Sequence, residues 1–184
     1  MPEVHFIGSI VGASGFKGKA VFGKFAIESD NAQWKVIRGS VRGRTFSSIP
    51  DENTTYACWN HPVDVCFSCT GLLGWPKFFI ELFFLDDDDR IDFAGYGFCY
   101  LPARLGRTTL TIATFRPRGS LADDLSAKFV GGYPQYADKT VVMDGAERWR
   151  ERTVSTGTVQ LDINVVHKGF RDDMIFTDGS PAVM

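Results

Sequence analysis

Hydrophobic residues recur at every second position through most of this chain, which is the pattern of β-strands that bury one face. The clearest run covers residues 63–70, where Val63, Val65, Phe67 and Cys69 alternate with polar or small residues. Turn-forming residues separate this run from its neighbours. At least eight strands at this spacing predict an all-β fold, an antiparallel β-sandwich. The other alternating runs lie at residues 4–10, 21–27, 34–37, 41–49, 78–85, 96–100, 110–112 and 158–165.

The run at residues 78–85 differs because it is apolar on both faces. We therefore expect this strand to be central and buried on both sides. Phe79 and Phe83 form its second face, and Trp59 and Trp75 fall in predicted turns. These rings exceed what one small sandwich needs for its core, so we interpret part of this apolar surface as a surface for a partner protein.

One short helix is predicted between the last two strands. Ser120 is a suitable N-cap residue, and Asp123 three residues later completes a capping-box arrangement. Leu121, Leu125 and Phe129 repeat every four residues and so share one helical face. Two glycines follow and stop the helix. We expect this helix to lie as a lid across one end of the sandwich.

The 184 residues suit one domain, predicted to span residues 1–170, followed by a flexible tail at residues 171–184. The 14% aromatic content excludes an intrinsically disordered chain. The formal net charge of −2 gives no basic excess for nucleic acid. The first residues lack the features of a signal peptide, so we expect a cytoplasmic protein with reduced thiols.

The four cysteines are interpreted as structural thiols. Cys66 and Cys69 form a C-x-x-C pair, but an offset of three on a strand places the two side chains on opposite faces. Cys58 and Cys99 are isolated. This spacing argues against a zinc or redox site, and no cofactor is expected.

The sequence contains no sign of an enzyme. The stretch at residues 12–20 is rich in glycine, but Ala13 and Ala20 occupy positions where a phosphate-binding loop needs glycine and a hydroxyl residue. There is no nucleophile elbow of the G-x-S-x-G type. His5, His61 and His167 each lie in or beside a strand pattern, where an isolated histidine is usually structural.

An acidic loop follows the run at residues 78–85. Asp86 and Asp88 lie two residues apart, and Asp92 begins the next strand. Calcium prefers several carboxylate oxygens, and the arrangement resembles the third calcium loop of a C2 domain, a β-sandwich that docks on membranes. The loop that should supply the other acids, residues 15–22, has two lysines and no carboxylate. A solvated acidic loop is therefore favoured, and calcium-dependent phospholipid binding is the alternative function.

Five motifs recur in a characteristic order along the chain, at residues 4–16, 59–64, 71–76, 95–102 and 129–132. In order and spacing they resemble the B9-domain family, and the resemblance runs from about Val4 to Phe170. The acidic run after the central strand departs from what we expect in this family.

The resemblance implies a C2-like fold and a non-enzymatic scaffold at the ciliary transition zone, near the basal body. It implies a hetero-complex with other B9-domain proteins, including the Meckel syndrome type 1 protein, that supports cilium assembly and gates what enters the cilium. It also implies association with the cytoskeleton at the cilium base and allows for peripheral membrane contact.

Three groups of residues are candidates for partner binding, because aromatic and proline residues in turns often anchor interfaces. Alternatively, the tryptophan rings cap the sandwich core. Pairing of a partner strand with a sheet edge is a third route, for which the sequence does not identify the edge. The candidates are Trp59, His61 and Pro62, then Trp75 and Pro76, then Pro102, Ala103 and Arg104.

Overall fold

The computed structural model describes residues 1–143 and 150–170 of the chain, and the predicted tail at residues 171–184 lies outside them. The described residues form nine strands, where about eight are predicted, and two helices. The shortest strand, β4, has only three residues. The strands are β1 (Glu3–Ser14), β2 (Ala20–Glu28), β3 (Trp34–Gly39), β4 (Arg42–Arg44), β5 (Tyr56–Cys69), β6 (Lys77–Leu85), β7 (Ile91–Tyr100), β8 (Gly106–Pro117) and β9 (Thr153–Lys168), and the helices are α1 (Leu121–Val130) and α2 (Thr140–Met143).

All strand pairs are antiparallel, in the order β3-β5-β1-β9-β8-β7-β6-β2-β4. The pairing between β7 and β8 is short, since only Tyr96–Phe115 and Gly97–Thr114 are opposed. The sheet turns a corner there and divides into two layers. Sheet one contains β3, β5, β1, β9 and β8, and sheet two contains β7, β6, β2 and β4. The predicted antiparallel sandwich is confirmed.

The main core fills the space between the two sheets. Val65 and Phe67 of sheet one and Phe78 and Ile80 of sheet two are almost fully buried in it, at the alternating positions that the sequence predicts. A fully buried side chain of this size stabilises the fold by about 1.5–3 kcal/mol. The regular alternation therefore fixes which face of each strand points inward.

The outer face of sheet two carries a second apolar cluster. Phe79 and Tyr96 of the sheet pack with Val142 of α2, and all three are buried. Phe83 is half-buried and stacks on Phe22 with ring centroids 5.4 Å apart. Residues 133–143 of the same chain thus cover much of the surface interpreted above as a partner surface. That interpretation is wrong for Phe79, because its own chain supplies the cover.

Helix α1 has the predicted cap but not the predicted packing. The Asp123 backbone N–H donates to Ser120 Oγ at 3.1 Å, and the Ser120 backbone N–H donates to Asp123 Oδ2 at 2.9 Å. Leu121, Leu125 and Phe129 are 88%, 60% and 75% exposed, so their face does not pack across the end of the sandwich as a lid. Among the α1 residues whose burial the structure describes, the small Ala127 is the buried one.

Candidate interaction surfaces

Trp59, His61 and Pro62 lie within strand β5, and the prediction that they form a turn is wrong. The register between β1 and β5 jumps from Ile10–His61 to Gly12–Cys58, so β5 carries extra residues at this point. Asn60 has a φ of 45°, the left-handed conformation that asparagine tolerates better than most residues. Buried positions nevertheless continue to alternate with exposed ones through this bulge, from Ala57 and Trp59 to Val63 and Val65.

Trp59 points into the core from an inward-facing position of the alternation along β5. Its ring is only 8% exposed, and Nε1 donates to the Val21 carbonyl of sheet two at 3.0 Å. The His61 ring lies edge-on against Phe25, with centroids 5.3 Å apart. Pro62 is exposed. Trp59 therefore links the two sheets and presents almost no ring surface to a partner. This agrees with the alternative given above, in which the tryptophan rings cap the sandwich core.

The other two candidate groups are brought together by the fold. The Leu101 backbone N–H donates to the Pro76 carbonyl at 3.0 Å, and Trp75 Nε1 donates to the Leu101 carbonyl at 2.8 Å. The Trp75 ring is half-buried and stands edge-on to Trp34 at 5.0 Å between centroids. Trp34 Nε1 in turn donates to the Leu73 carbonyl at 2.9 Å. Two tryptophans thus pin both loops at one end of the sandwich.

These pinned loops form one surface, which we name the Trp75 patch. Leu72, Leu73, Ala103, Arg104 and Leu105 are exposed on it, whereas Pro76 is buried beneath it. The backbone beneath the patch is held by the hydrogen bonds above, so its exposed leucines sit on a rigid base. A rigid apolar surface with few charges suits the binding of a protein partner. The patch consists of Leu72, Leu73, Trp75, Pro102, Ala103, Arg104 and Leu105.

The acidic loop between β6 and β7 is occupied by its own hydrogen bonds. Asp86 Oδ1 accepts from the Asp88 and Arg90 backbone N–H groups at 3.0 and 2.9 Å. Asp86 Oδ2 accepts from Arg90 Nε at 2.9 Å, and Arg90 Nη2 reaches Asp88. The Arg90 backbone N–H and its guanidinium hold the pKa of the Asp86 carboxyl below its usual range.

Asp92 turns toward a different segment. Its carboxylate accepts from the Gly132 backbone N–H at 3.1 Å and from that of Tyr133 at 3.4 Å. Within residues 1–143 and 150–170, no group of three or more metal-ligating side chains converges. Asp86, Asp88 and Asp92 therefore do not form the three-carboxylate cluster considered from the sequence, and these residues do not fit a calcium ion.

The three histidines stand apart from one another. His5 Nε2 lies 2.6 Å from Asp64 on the outside of sheet one, whereas His61 packs on Phe25. His167 lies against Phe170, and burial lowers the pKa of its imidazole. All four cysteines are free thiols. Each histidine has a packing or pairing role, and the three rings do not meet around a common space.

A groove of about 720 Å³ lies on the outside of sheet two, and the sequence does not reveal it. Its walls come from β2 and β4 on one side and from residues 137–143 on the other. Lys139 Nζ pairs with the buried Glu81 at 2.6 Å across its floor. The groove exists because residues 133–143 fold over sheet two, which periodicity could not predict.

No helix within the described ranges is long and apolar enough to cross a membrane. Helix α1 itself has ten residues, and its apolar face is exposed. Its exposure also went unpredicted, because an i, i+4 repeat indicates an apolar face without indicating what covers it.

Comparison with known proteins identifies close sequence relatives over nearly the whole chain. A family model, B9-C2, described as ciliary basal body-associated B9 protein, matches residues 4–166. The chain is 39% identical over 170 residues to B9 domain-containing protein 2 of Homo sapiens, covering 92% of this chain and 96% of that protein. The corresponding protein of Drosophila melanogaster is 29% identical over 174 residues, with the same coverages.

Two further matches are more distant. B9 domain-containing protein 1 of Xenopus laevis is 35% identical over 114 residues, covering 61% of this chain and 58% of that protein. Among solved structures, a C2 domain of plant extended synaptotagmin 1 aligns with a TM-score of 0.43 and 13% identity, over 92% of this chain and 96% of that chain.

Proposed function

The chain belongs to the B9-C2 family of ciliary basal body-associated proteins, and from this premise we propose that it is a non-enzymatic scaffold subunit of a ciliary transition-zone complex. In this role it supports cilium assembly and helps to control which proteins enter the cilium. The observation that carries the proposal is the match of nearly the whole sandwich, residues 4–166, to one ciliary family.

The internal chemistry of the chain supports a binding role. The three histidines are engaged in packing or pairing, and the acidic loop is closed by Arg90. The exposed features are instead an apolar patch on pinned loops and an apolar helix face. Contiguous exposed apolar surface of this kind is typical of proteins that work in complexes.

We assign the Trp75 patch to contact with another B9-domain protein. The patch unites two of the three candidate groups, and Trp75 Nε1 fixes the loop that carries Pro102, Ala103 and Arg104. Exposed Leu73 and Leu105 would be desolvated in the complex, while Arg104 supplies a charge at the rim. The Meckel syndrome type 1 protein is a proposed member of the same complex.

The proposal places the protein at the base of the cilium, associated with the cytoskeleton there. Expression of a fluorescently tagged chain in ciliated cells that lack the endogenous protein tests this. We expect a focus at the base of each cilium and restoration of the ciliated fraction. A diffuse cytoplasmic signal with no gain in ciliated cells would reject the scaffold role.

The calcium-dependent phospholipid-binding alternative has less support. Both Asp86 oxygens already accept hydrogen bonds, and Asp92 bonds a separate segment. A peripheral membrane contact, if the protein makes one, would therefore rely on exposed apolar or basic side chains and would be independent of calcium.

A further inference from the structure

Edge strands present unpaired backbone N–H and C=O groups, and proteins usually protect them against unwanted pairing with short length, charge, proline or bulges. Most open edges of this sandwich have such protection. Strand β3 is six residues long, has a register shift between Val36 and Arg38, and exposes Lys35. Strand β4 has three residues, of which Arg42 and Arg44 are exposed.

The free part of β5 is protected in the same way. Beyond the region paired with β3, which ends at Val65, this strand pairs on one side only, with β1. It contains the bulge at Asn60 and then Pro62, which has no N–H to donate. An incoming strand would meet a bent backbone and a missing donor.

Strand β8 carries none of these devices over residues 106–113. This stretch pairs with β9 along its whole length, and its pairing with β7 begins only at Thr114. The register with β9 is regular until Thr114, so the stretch has no bulge. At its start, no atom lies within 4 Å of the position that a Cβ on Gly106 would take, so the space into which a side chain would project there is open.

The side chains of this edge are nearly neutral. Thr109, Thr111 and Ala113 are exposed on the outer face. Arg107 is the one charged residue of the stretch, and its Nε donates to Asp162 of its own chain at 3.0 Å. On the inner face, Leu110 reaches the core but is only partly buried. The edge is therefore long, flat and nearly uncharged, with apolar surface left to cover.

We propose that this edge pairs with the same edge of a second copy of the chain, forming an antiparallel β8–β8 homodimer about a two-fold axis at Leu110. The two five-stranded sheets then join into one sheet of ten strands. This inference goes beyond the proposed scaffold function and does not depend on it.

The β8 sequence is complementary to itself in this register. Thr109 faces Thr111 of the second copy, a favourable cross-strand pair, and Arg107 faces Ala113 so that no like charges meet. On the inner side, Leu110 faces Leu110 and completes its burial. Because the axis is a two-fold, the Thr109–Thr111 contact occurs twice in the dimer. A substitution there therefore changes the free energy of dimerisation twice over.

Sedimentation equilibrium of the full chain, from micromolar to submillimolar concentration, tests the proposal. The wild-type chain should show a dimer fraction that rises with concentration. Thr109→Lys with Thr111→Lys places lysines opposite one another and should raise the dissociation constant about tenfold or more. Thr109→Lys with Thr111→Glu places opposite charges across the axis and should keep the dissociation constant within about threefold of wild type.

The controls separate this interface from general effects of charge. Ser47→Lys with Asn53→Lys adds two exposed lysines in the loop between β4 and β5 and should leave the dimer unchanged. Circular dichroism melting of each variant verifies that it is folded. We expect melting temperatures close to that of the wild type, since both threonine side chains are exposed. If the wild-type chain stays monomeric at every concentration, the proposal is overturned. The β8 edge would then be available for pairing with a strand of another protein. Equal dimerisation of the two double variants also overturns it.

Discussion

At the scale of single residues, Trp59 shows how one side chain can hold the two layers together. Its ring fills core volume, and its Nε1 reaches the Val21 carbonyl, which also accepts from the Ser48 backbone N–H at 2.9 Å. A strand from each sheet and the loop after β4 therefore meet at one carbonyl. Trp59 occupies an inward-facing position of β5, which directs the indole toward this carbonyl.

We predict that Trp59→Phe lowers the free energy of unfolding by about 1–3 kcal/mol, since it removes one buried hydrogen bond and leaves unfilled volume. Urea denaturation followed by circular dichroism measures this. Phe46→Ala is the matched control, because Phe46 is exposed and its loss should change stability by less than about 0.5 kcal/mol. Equal effects of the two substitutions would contradict the core role of Trp59.

The four thiols should differ in reactivity. Burial raises the pKa of Cys99 to about 12, so at pH 8 only about one molecule in ten thousand carries its thiolate. Burial also raises the pKa values of Cys66 and Cys69. Cys58 is exposed.

Titration of the native protein with a disulfide reagent at pH 8 should modify Cys58 first, and all four thiols only after denaturation. Rapid native labelling of Cys99 would contradict its burial.

At the scale of elements, the loop between β6 and β7 is an ionic turn that closes on itself. Arg90 bonds Asp86 and Asp88, and Lys19 bonds Asp89 from the neighbouring loop. Asp86, Asp88 and Asp89 are thus each paired with a basic residue. Exposed pairs of this kind are weak individually, so their main effect is on the conformation of the loop.

We predict that millimolar calcium gives no saturable heat with the wild-type chain in isothermal titration calorimetry, because Asp86 has no free carboxylate oxygen and Asp92 faces another segment. Asp86→Asn with Asp88→Asn serves as the comparison and should give the same flat trace. A saturable heat in the wild type that disappears in the double variant would restore the calcium hypothesis.

Local sequence patterns predicted the strands and the helix themselves better than they predicted which segments pack against them. The alternation at residues 63–70 and the Ser120 cap depend on neighbours in the chain, and both are confirmed. The exposure of Leu125 on α1 and the cover over Phe79 depend on where distant segments lie. Trp59 escaped prediction because its neighbours Asn60 and Pro62 are typical turn residues, although the alternation of buried positions continues through them.

At the scale of the whole molecule, the sequence predicted the antiparallel sandwich and the family, because both depend on patterns that span the chain. It predicted the three candidate groups but not their arrangement. Only the fold reveals that the loops of Trp75 and Ala103 form one patch, while Trp59 belongs to the core. The groove over sheet two likewise arises from the folding of residues 133–143.

The central claim is that this chain is a scaffold for other B9-domain proteins and that the Trp75 patch contacts them. Recovery of the tagged full chain from ciliated cells, followed by quantitative mass spectrometry, tests this most directly. Leu73→Glu with Ala103→Glu charges the patch, and Phe46→Glu with Ile49→Glu adds the same charge to exposed apolar residues outside it. The wild type and the control should recover other B9-domain proteins equally, and the patch variant about tenfold less, as loss of an interface hot spot would give. Recovery of no B9-domain protein by the wild type, or equal recovery by both variants, would contradict the account.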